Sequence, residues 1–168
     1  IRLILTTVGC ALTVSAWAAP QQVTDYEDDA GYQLHVDGEP YFVRGMNWGY
    51  MPIGENYRYS LWDRDDAFVE AVLRREMGLL KAAGVNSIRQ YDDIPPRWVE
   101  WIWENYGIST MINPLVGRYG AEIDGRWVPN TDYSDEATRA ALKEQTLASI
   151  ERYKDTPGVL LWLLANET

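Results

Sequence analysis

The chain has 168 residues and a formal net charge of −10. That length suits one ordinary domain, and the acidic balance repels phosphate backbones and anionic lipid, which argues against nucleic-acid and membrane-surface partners. Eight Trp and eleven Tyr stand against two Phe, a choice of flat apolar faces with polar edges that serves sugar stacking and core packing alike.

Arg2 is followed by an apolar run from Leu3 to Val14 and then by Ser15-Ala16-Trp17-Ala18. A basic start, a short apolar stretch and a small-x-small end predict an export signal over residues 1–19, cut after Ala18 or Ala19, and a secreted or periplasmic product. Cleavage there removes Cys10, the single cysteine. The mature chain then relies on a hydrophobic core without disulfides. Residues 20–31 carry Asp25, Glu27, Asp28 and Asp29 and read as a disordered lead-in.

Tyr32 to Val36 alternates as a strand does, Asp37-Gly38 is a hairpin turn signal, and Tyr41 to Val43 reads as the partner strand. His35, the single histidine, reads as a surface residue of that hairpin, and no metal site is expected. Phe42 to Asn47 continues as a strand, followed by a long aromatic loop from Trp48 to Arg64. Val69, Val72, Leu73, Met77 and Leu80 then recur at helical spacing, and Gly84 stops that helix. Val85 to Tyr91 is the next strand. Pro95-Pro96 opens a second helix bearing Trp98, Trp101 and Ile102, which Gly107 ends. Ile108 to Leu115 is a third strand, and residues 117–133 read as a polar loop. Ser134-Asp135-Glu136 starts a third helix, since acids favour the first turn. Pro157-Gly158 breaks it before Val159 to Ala165, apolar enough for a strand buried on both faces.

Strands alternating with helices imply a parallel sheet with helices outside. A doubly wound nucleotide-binding sheet would carry a glycine-rich loop after its first strand. Arg44-Gly45-Met46-Asn47-Trp48-Gly49 is too bulky for that. The fold class expected is therefore α/β, the amino-terminal half of a (β/α)8 barrel over residues 32–168, preceded by a β-hairpin. A whole barrel takes roughly 250 residues, so the chain reads as a truncated product whose open half-sheet leaves an unpaired edge.

Barrel chemistry collects at the carboxyl ends of the strands. Those ends are Asn47 and Trp48, Arg89 to Asp93, Asn113, and Asn166-Glu167. Glu167 follows Leu160 to Ala165, six consecutive apolar residues, and Asn166. Burial raises a carboxyl pKa toward what a proton donor needs, though a strand-end Glu that caps a loop fits the same position. Arg89 suits bidentate support of a carboxylate or a structural ion pair. Asp92 and Asp93 suit hydroxyl binding or a cap on the helix opened by Pro95-Pro96. Among the loop aromatics Trp48, Tyr50, Tyr57, Tyr59 and Trp62, one or two suit stacking on a sugar.

Four segments then carry a resemblance. They are Asp37 to Trp48, Leu79 to Arg89, Tyr91 after Arg89, and Leu161 to Glu167. In order and spacing they resemble the catalytic barrels of the clan of retaining glycosidases that includes family 2 β-glycosidases and fungal β-1,3-glucanosyltransferases. Tyr91 looks closer to the latter. The resemblance implies that Glu167 is the general acid/base, that Asn166 hydrogen-bonds a sugar 2-hydroxyl and that Arg89 supports the nucleophile. Tyr91, Asn47 and Trp48 join them as substrate-binding candidates. It also implies a nucleophilic glutamate on a seventh strand, beyond this chain, so the isolated chain is expected to be inactive. The implied partner is a β-linked oligo- or polysaccharide, with no cofactor. The competing reading is a non-catalytic carbohydrate-binding or degenerate barrel remnant.

Overall fold

The computed structural model describes residues 19–91, 93–114 and 116–164. Residues 1–18 of the expected export signal lie outside them, as do Asp92 and the Asn166-Glu167 pair. In chain order the elements begin with β1 (Val23–Asp28), β2 (Gly31–Val36), β3 (Glu39–Pro40) and β4 (Gly45–Asn47). Helix α1 (Asp66–Ala82), β5 (Ser87–Gln90), α2 (Pro96–Tyr106) and β6 (Ser109–Ile112) follow. The chain continues through β7 (Gly120–Ile123), β8 (Arg126–Pro129), α3 (Glu136–Tyr153) and β9 (Val159–Trp162).

β1, β2 and β3 form an antiparallel meander. Asp37 and Gly38 both take positive φ, 53° and 84°, as a two-residue turn between twisted strands requires. The expected partner strand at Tyr41 to Val43 is shorter and earlier, at Glu39–Pro40, with the Tyr41 amide still donating to the Leu34 carbonyl. The lead-in over residues 20–31 is not disordered: Val23–Asp28 pairs in full register with β2, Val23 opposite Val36 and Asp28 opposite Gly31. Its acids do not oppose this, because a strand with one open edge leaves them in water and charge there discourages further pairing.

β4, β5, β6 and β9 form one sheet in that spatial order, every pair parallel. Each strand lies beside the one that precedes it in the chain, with no reversal of order. A reversal is what creates the ligand crevice of a doubly wound sheet. Helix α1 follows its sequence pattern closely. Asp65 caps it by accepting from the Phe68 amide, and Val69, Val72, Leu73 and Met77 are buried. Helix α2 starts at Pro96, ends on left-handed Gly107, and buries Trp98, Val99 and Ile102. These meet Ile88, Ile108, Ile112 and Val159 in one core on the helix side of the sheet. Full burial of each such side chain contributes about 1.5–3 kcal/mol.

Two expectations change here. Val159 and Leu160 are buried, but Leu161 to Leu163 are only partly so and Leu164 is exposed. β9 is an edge strand among the described residues, so its second flank has no neighbour. The polar loop of residues 117–133 instead contains the hairpin β7–β8, turned at Asp124-Gly125 with φ of 50° and 71°. Its flanks, Glu122 and Arg126, break the apolar alternation that marks a strand in sequence.

Asp135, not Ser134, is the α3 cap. Its side chain accepts from the Thr138 amide at 2.7 Å and from Thr138 Oγ1 at 2.8 Å. The Thr138 amide and hydroxyl hold the Asp135 carboxyl below its ordinary range. A depressed native pKa stabilises the fold above the unfolded value, near 4, and that contribution is lost as pH falls through the native value. The first turns of α3 should therefore fray in acid, read as falling helical circular dichroism below about pH 4. Asp135→Asn, still a good cap, should flatten that dependence. Gly158 has φ of 89° and a Cβ there would meet Trp103 Cβ at 2.5 Å. Gly158→Ala should cost about 3 kcal/mol in urea unfolding, combining overpacking with left-handed strain.

Candidate functional site at the strand ends

Period-two alternation along the parallel sheet sorts its side chains. Met46, Ile88, Thr110 and Val159 share one register row, and Ile88 and Val159 belong to the helix-side core. Asn47, Arg89 and Met111 form the next row, on the opposite face, and Leu161 pairs with Met111 across a register irregularity between β6 and β9. At the amino end of that opposite face lie Gly45, Ser87 and Ser109. The Tyr41 hydroxyl reaches across them, donating to the Asn86 carbonyl at 2.8 Å and lying 3.5 Å from Ser109 Oγ. The meander thus closes the amino end, and the polar side chains gather at the carboxyl end.

Arg89 is placed by β5 on the face away from the helices. Its Nε and Nη2 donate to Asn113 Oδ1 at 2.8 and 2.5 Å, and its guanidinium carbon lies 4.6 Å from the Tyr91 ring centroid. Asn113 follows β6 and is 1% exposed. Its Nδ2 donates to the Leu163 carbonyl at 2.8 Å. One buried amide therefore ties the Arg89 guanidinium on β5 to the backbone just past β9. Backbone bonds run alongside: Trp48 N to Arg89 O, Asn113 N to Gln90 O, and Leu163 N to Ile112 O. Leu163 precedes Asn166 by three residues in the chain.

Among the expected site residues, the fold brings Arg89 and Tyr91 together and puts Asn47, exposed, in the same row as Arg89. Trp48 is separated from them. It is 7% exposed and packs in the core with its ring 6.3 Å from that of Trp62, because the residue after Asn47 must point to the helix side. No ring face of Trp48 is left for a sugar. Tyr50 and Tyr59 pair with each other at 6.2 Å, while Tyr57 is exposed. Asp93 caps nothing: α2 has no side-chain cap. Instead Asp93 pairs with Arg152 and accepts from the Tyr153 hydroxyl, which also donates to the Ile94 carbonyl. Burial, with the Asp93 charge beside it, pushes the Tyr153 hydroxyl well above its ordinary pKa, so it stays a neutral donor. His35 stacks on Tyr26 in the meander. Among the described residues no group of three or more His, Cys, Asp or Glu is arranged to hold a metal ion.

Asn113 was legible only as one of several polar strand ends. Its bridging role needs two partners 24 and 50 residues away, and no local pattern encodes that. Asn113→Ala would leave the Leu163 carbonyl and part of the Arg89 guanidinium unsatisfied, at a cost of about 2–3 kcal/mol. Urea unfolding should register that loss, and amide hydrogen exchange at Leu163 should accelerate. An unchanged stability would show that the bridge contributes nothing net.

No family model matches the chain. The chain is 27% identical over 137 residues to a β-galactosidase of Vibrio cholerae and 27% identical over 136 residues to a β-galactosidase of an Arthrobacter species. Each match covers 80% of this chain, which spans only 12% and 13% of the length of those two proteins. Among solved structures, the exo-chitosanase of Amycolatopsis orientalis superposes with a TM-score of 0.54 at 19% identity, over 84% of this chain and 15% of that one. A β-glucuronidase of Parabacteroides merdae superposes with a TM-score of 0.54 at 18% identity, over 89% of this chain and 16% of that one. The chain is thus similar in sequence to a short segment of β-galactosidases, and its α/β fold is that of a segment of solved β-glycosidases.

Proposed function

We propose that this chain is the amino-terminal half of the (β/α)8 barrel of a retaining β-glycosidase, exported and acting on β-linked glycans. The observation that carries the proposal is the unreversed order of four parallel strands with Arg89, Tyr91 and Asn113 gathered at their carboxyl ends. Likeness to β-galactosidases over 80% of the chain supports it. In this reading the chain that follows β9 through Leu163 supplies Asn166 and Glu167 to the site. Glu167 protonates the departing glycosidic oxygen and later deprotonates the acceptor. Asn166 hydrogen-bonds the 2-hydroxyl of the sugar. Arg89, held by Asn113, keeps the nucleophilic carboxylate ionised and oriented.

Retention needs a second carboxylate about 5–5.5 Å from the first, and the reading assigns it to a later strand. The 168-residue chain alone should then hydrolyse no aryl β-glycoside. The acceptor decides the outcome: water gives hydrolysis, and a sugar hydroxyl gives transglycosylation. Export is supported by Arg2, the apolar run and Ala16-Trp17-Ala18, and amino-terminal sequencing of the secreted product should begin at Ala19 or Pro20.

The leaving group supplies the test of Glu167. Extended through its downstream reading frame, the protein should turn over alkyl and aryl β-glycosides. Glu167→Ala should slow an alkyl β-glycoside by about 10²-fold or more, the scale of general acid catalysis. A dinitrophenyl β-glycoside, whose leaving group needs no proton, should lose far less in its glycosylation step. Equal losses on both substrates would remove Glu167 from the acid/base role. Turnover of an aryl β-glycoside by the 168-residue chain would overturn the half-barrel reading.

A further inference from the structure

The hairpin β7–β8 leaves the carboxyl end of β6 and packs against α3. Between them lies an open groove of about 730 Å³. Trp127 lines one wall and is 62% exposed, an unusual position for the largest apolar side chain. Its ring is seated on Gly120, where a Cβ would come within 2.8 Å of Trp127 Cζ2. Glycine here is a steric requirement: a Cβ would collide with the Val128 carbonyl oxygen as well as with the indole, which lies against bare backbone. The floor is Ala137, Ala140 and Ala141, whose methyl groups are too small to fill the space.

The polar lining is of one sign. Glu122, the cross-strand partner of Trp127, stands with Asp124 and Glu144, and Gln145 is the neutral member. None of the three carboxylates forms an ion pair with a described residue, and no Lys or Arg lines the groove. A flat, exposed aromatic face suits the apolar face of a pyranose ring. Carboxylates without counter-charges repel uronates and sulfated sugars, and a neutral sugar leaves their charge uncompensated. An ammonium group meets both features at once, since it pairs with carboxylates and is attracted to an indole face.

We propose that the groove between the β7–β8 hairpin and α3 is a binding site for a protonated amino-sugar unit of an oligosaccharide, stacked on Trp127 with its ammonium directed at Glu122 and Glu144. The site is independent of Glu167 and of any turnover.

The test is titration of the 168-residue chain at pH 6, following the Trp127 indole N–H resonance, with a fully deacetylated glucosamine tetramer, cellotetraose and a galacturonic acid tetramer. The glucosamine tetramer should give a saturable shift that weakens in 0.5 M salt, as a charge contact requires. The other two should bind at least about fivefold more weakly, the scale of one cation–π contact. Trp127→Ala and the double variant Glu122→Gln/Glu144→Gln should each lose binding by a similar factor. Trp127→Tyr should keep part of it, and Tyr57→Ala in the distant loop should keep all of it. Helical circular dichroism would show that each variant remains folded. Equal affinity for cellotetraose, or no saturable shift, or binding that survives both Trp127→Ala and the double variant, would overturn the proposal.

Discussion

The carboxyl end of this parallel sheet is organised by one buried amide. A strand end that faces away from the helices must satisfy its backbone groups and hold polar side chains in a place with little water. Asn113 meets both demands. Its oxygen accepts twice from Arg89, and its nitrogen donates to the Leu163 carbonyl. Three of the four strands of the sheet are thereby joined through one side chain that is almost wholly inaccessible to solvent. A buried polar group of this kind stabilises only while every partner is present, which makes the local geometry close to all-or-none. In the proposed chemistry, the arginine and the backbone just past β9 share this anchor.

The two faces of the sheet have different duties, and the alternation of side chains divides them. Ile88 and Val159 face Leu73, Met77, Val99 and Ile102 from the helices and supply the cohesion. Asn47, Arg89 and Met111 face the other way. A single step along the chain decides between these roles, so Asn47 and Trp48, adjacent in sequence, end in opposite environments. The indole of Trp48 stabilises the core with Trp62. The meander closes the amino end through the Tyr41 hydroxyl, which leaves the carboxyl end as the place where polar groups collect.

The hairpin β7–β8 and the lead-in strand β1 make the same point about charge. β1 carries three acids and β7–β8 carries Glu122, Asp124 and Arg126, and neither has the apolar alternation that marks a half-buried strand. Both nevertheless pair, because an antiparallel ladder closed by a tight turn needs only backbone partners and a correct turn geometry. Asp124-Gly125 supplies that geometry for one, and the Asp28 side chain, accepting from the Ala30 amide, supports it for the other. On β7–β8 the consequence is an exposed tryptophan opposite Glu122.

The sequence by itself determined the α1 stripe of Val69, Val72, Leu73 and Met77, the glycine that ends α2, the Asp37-Gly38 turn and the strand–helix alternation. These rest on spacings of a few residues and on backbone geometry, which act locally. It also marked Arg89 and Asn113 as polar groups at strand ends. Their joining, the burial of Trp48, the diversion of Asp93 to Arg152 and Tyr153, and the seating of Trp127 on Gly120 were decided by the tertiary structure. Each depends on which side of a strand a residue takes and on partners brought close by the fold. A hydrogen bond spanning 24 or 50 residues exists only once the sheet has aligned, and no local pattern of residue types carries that information.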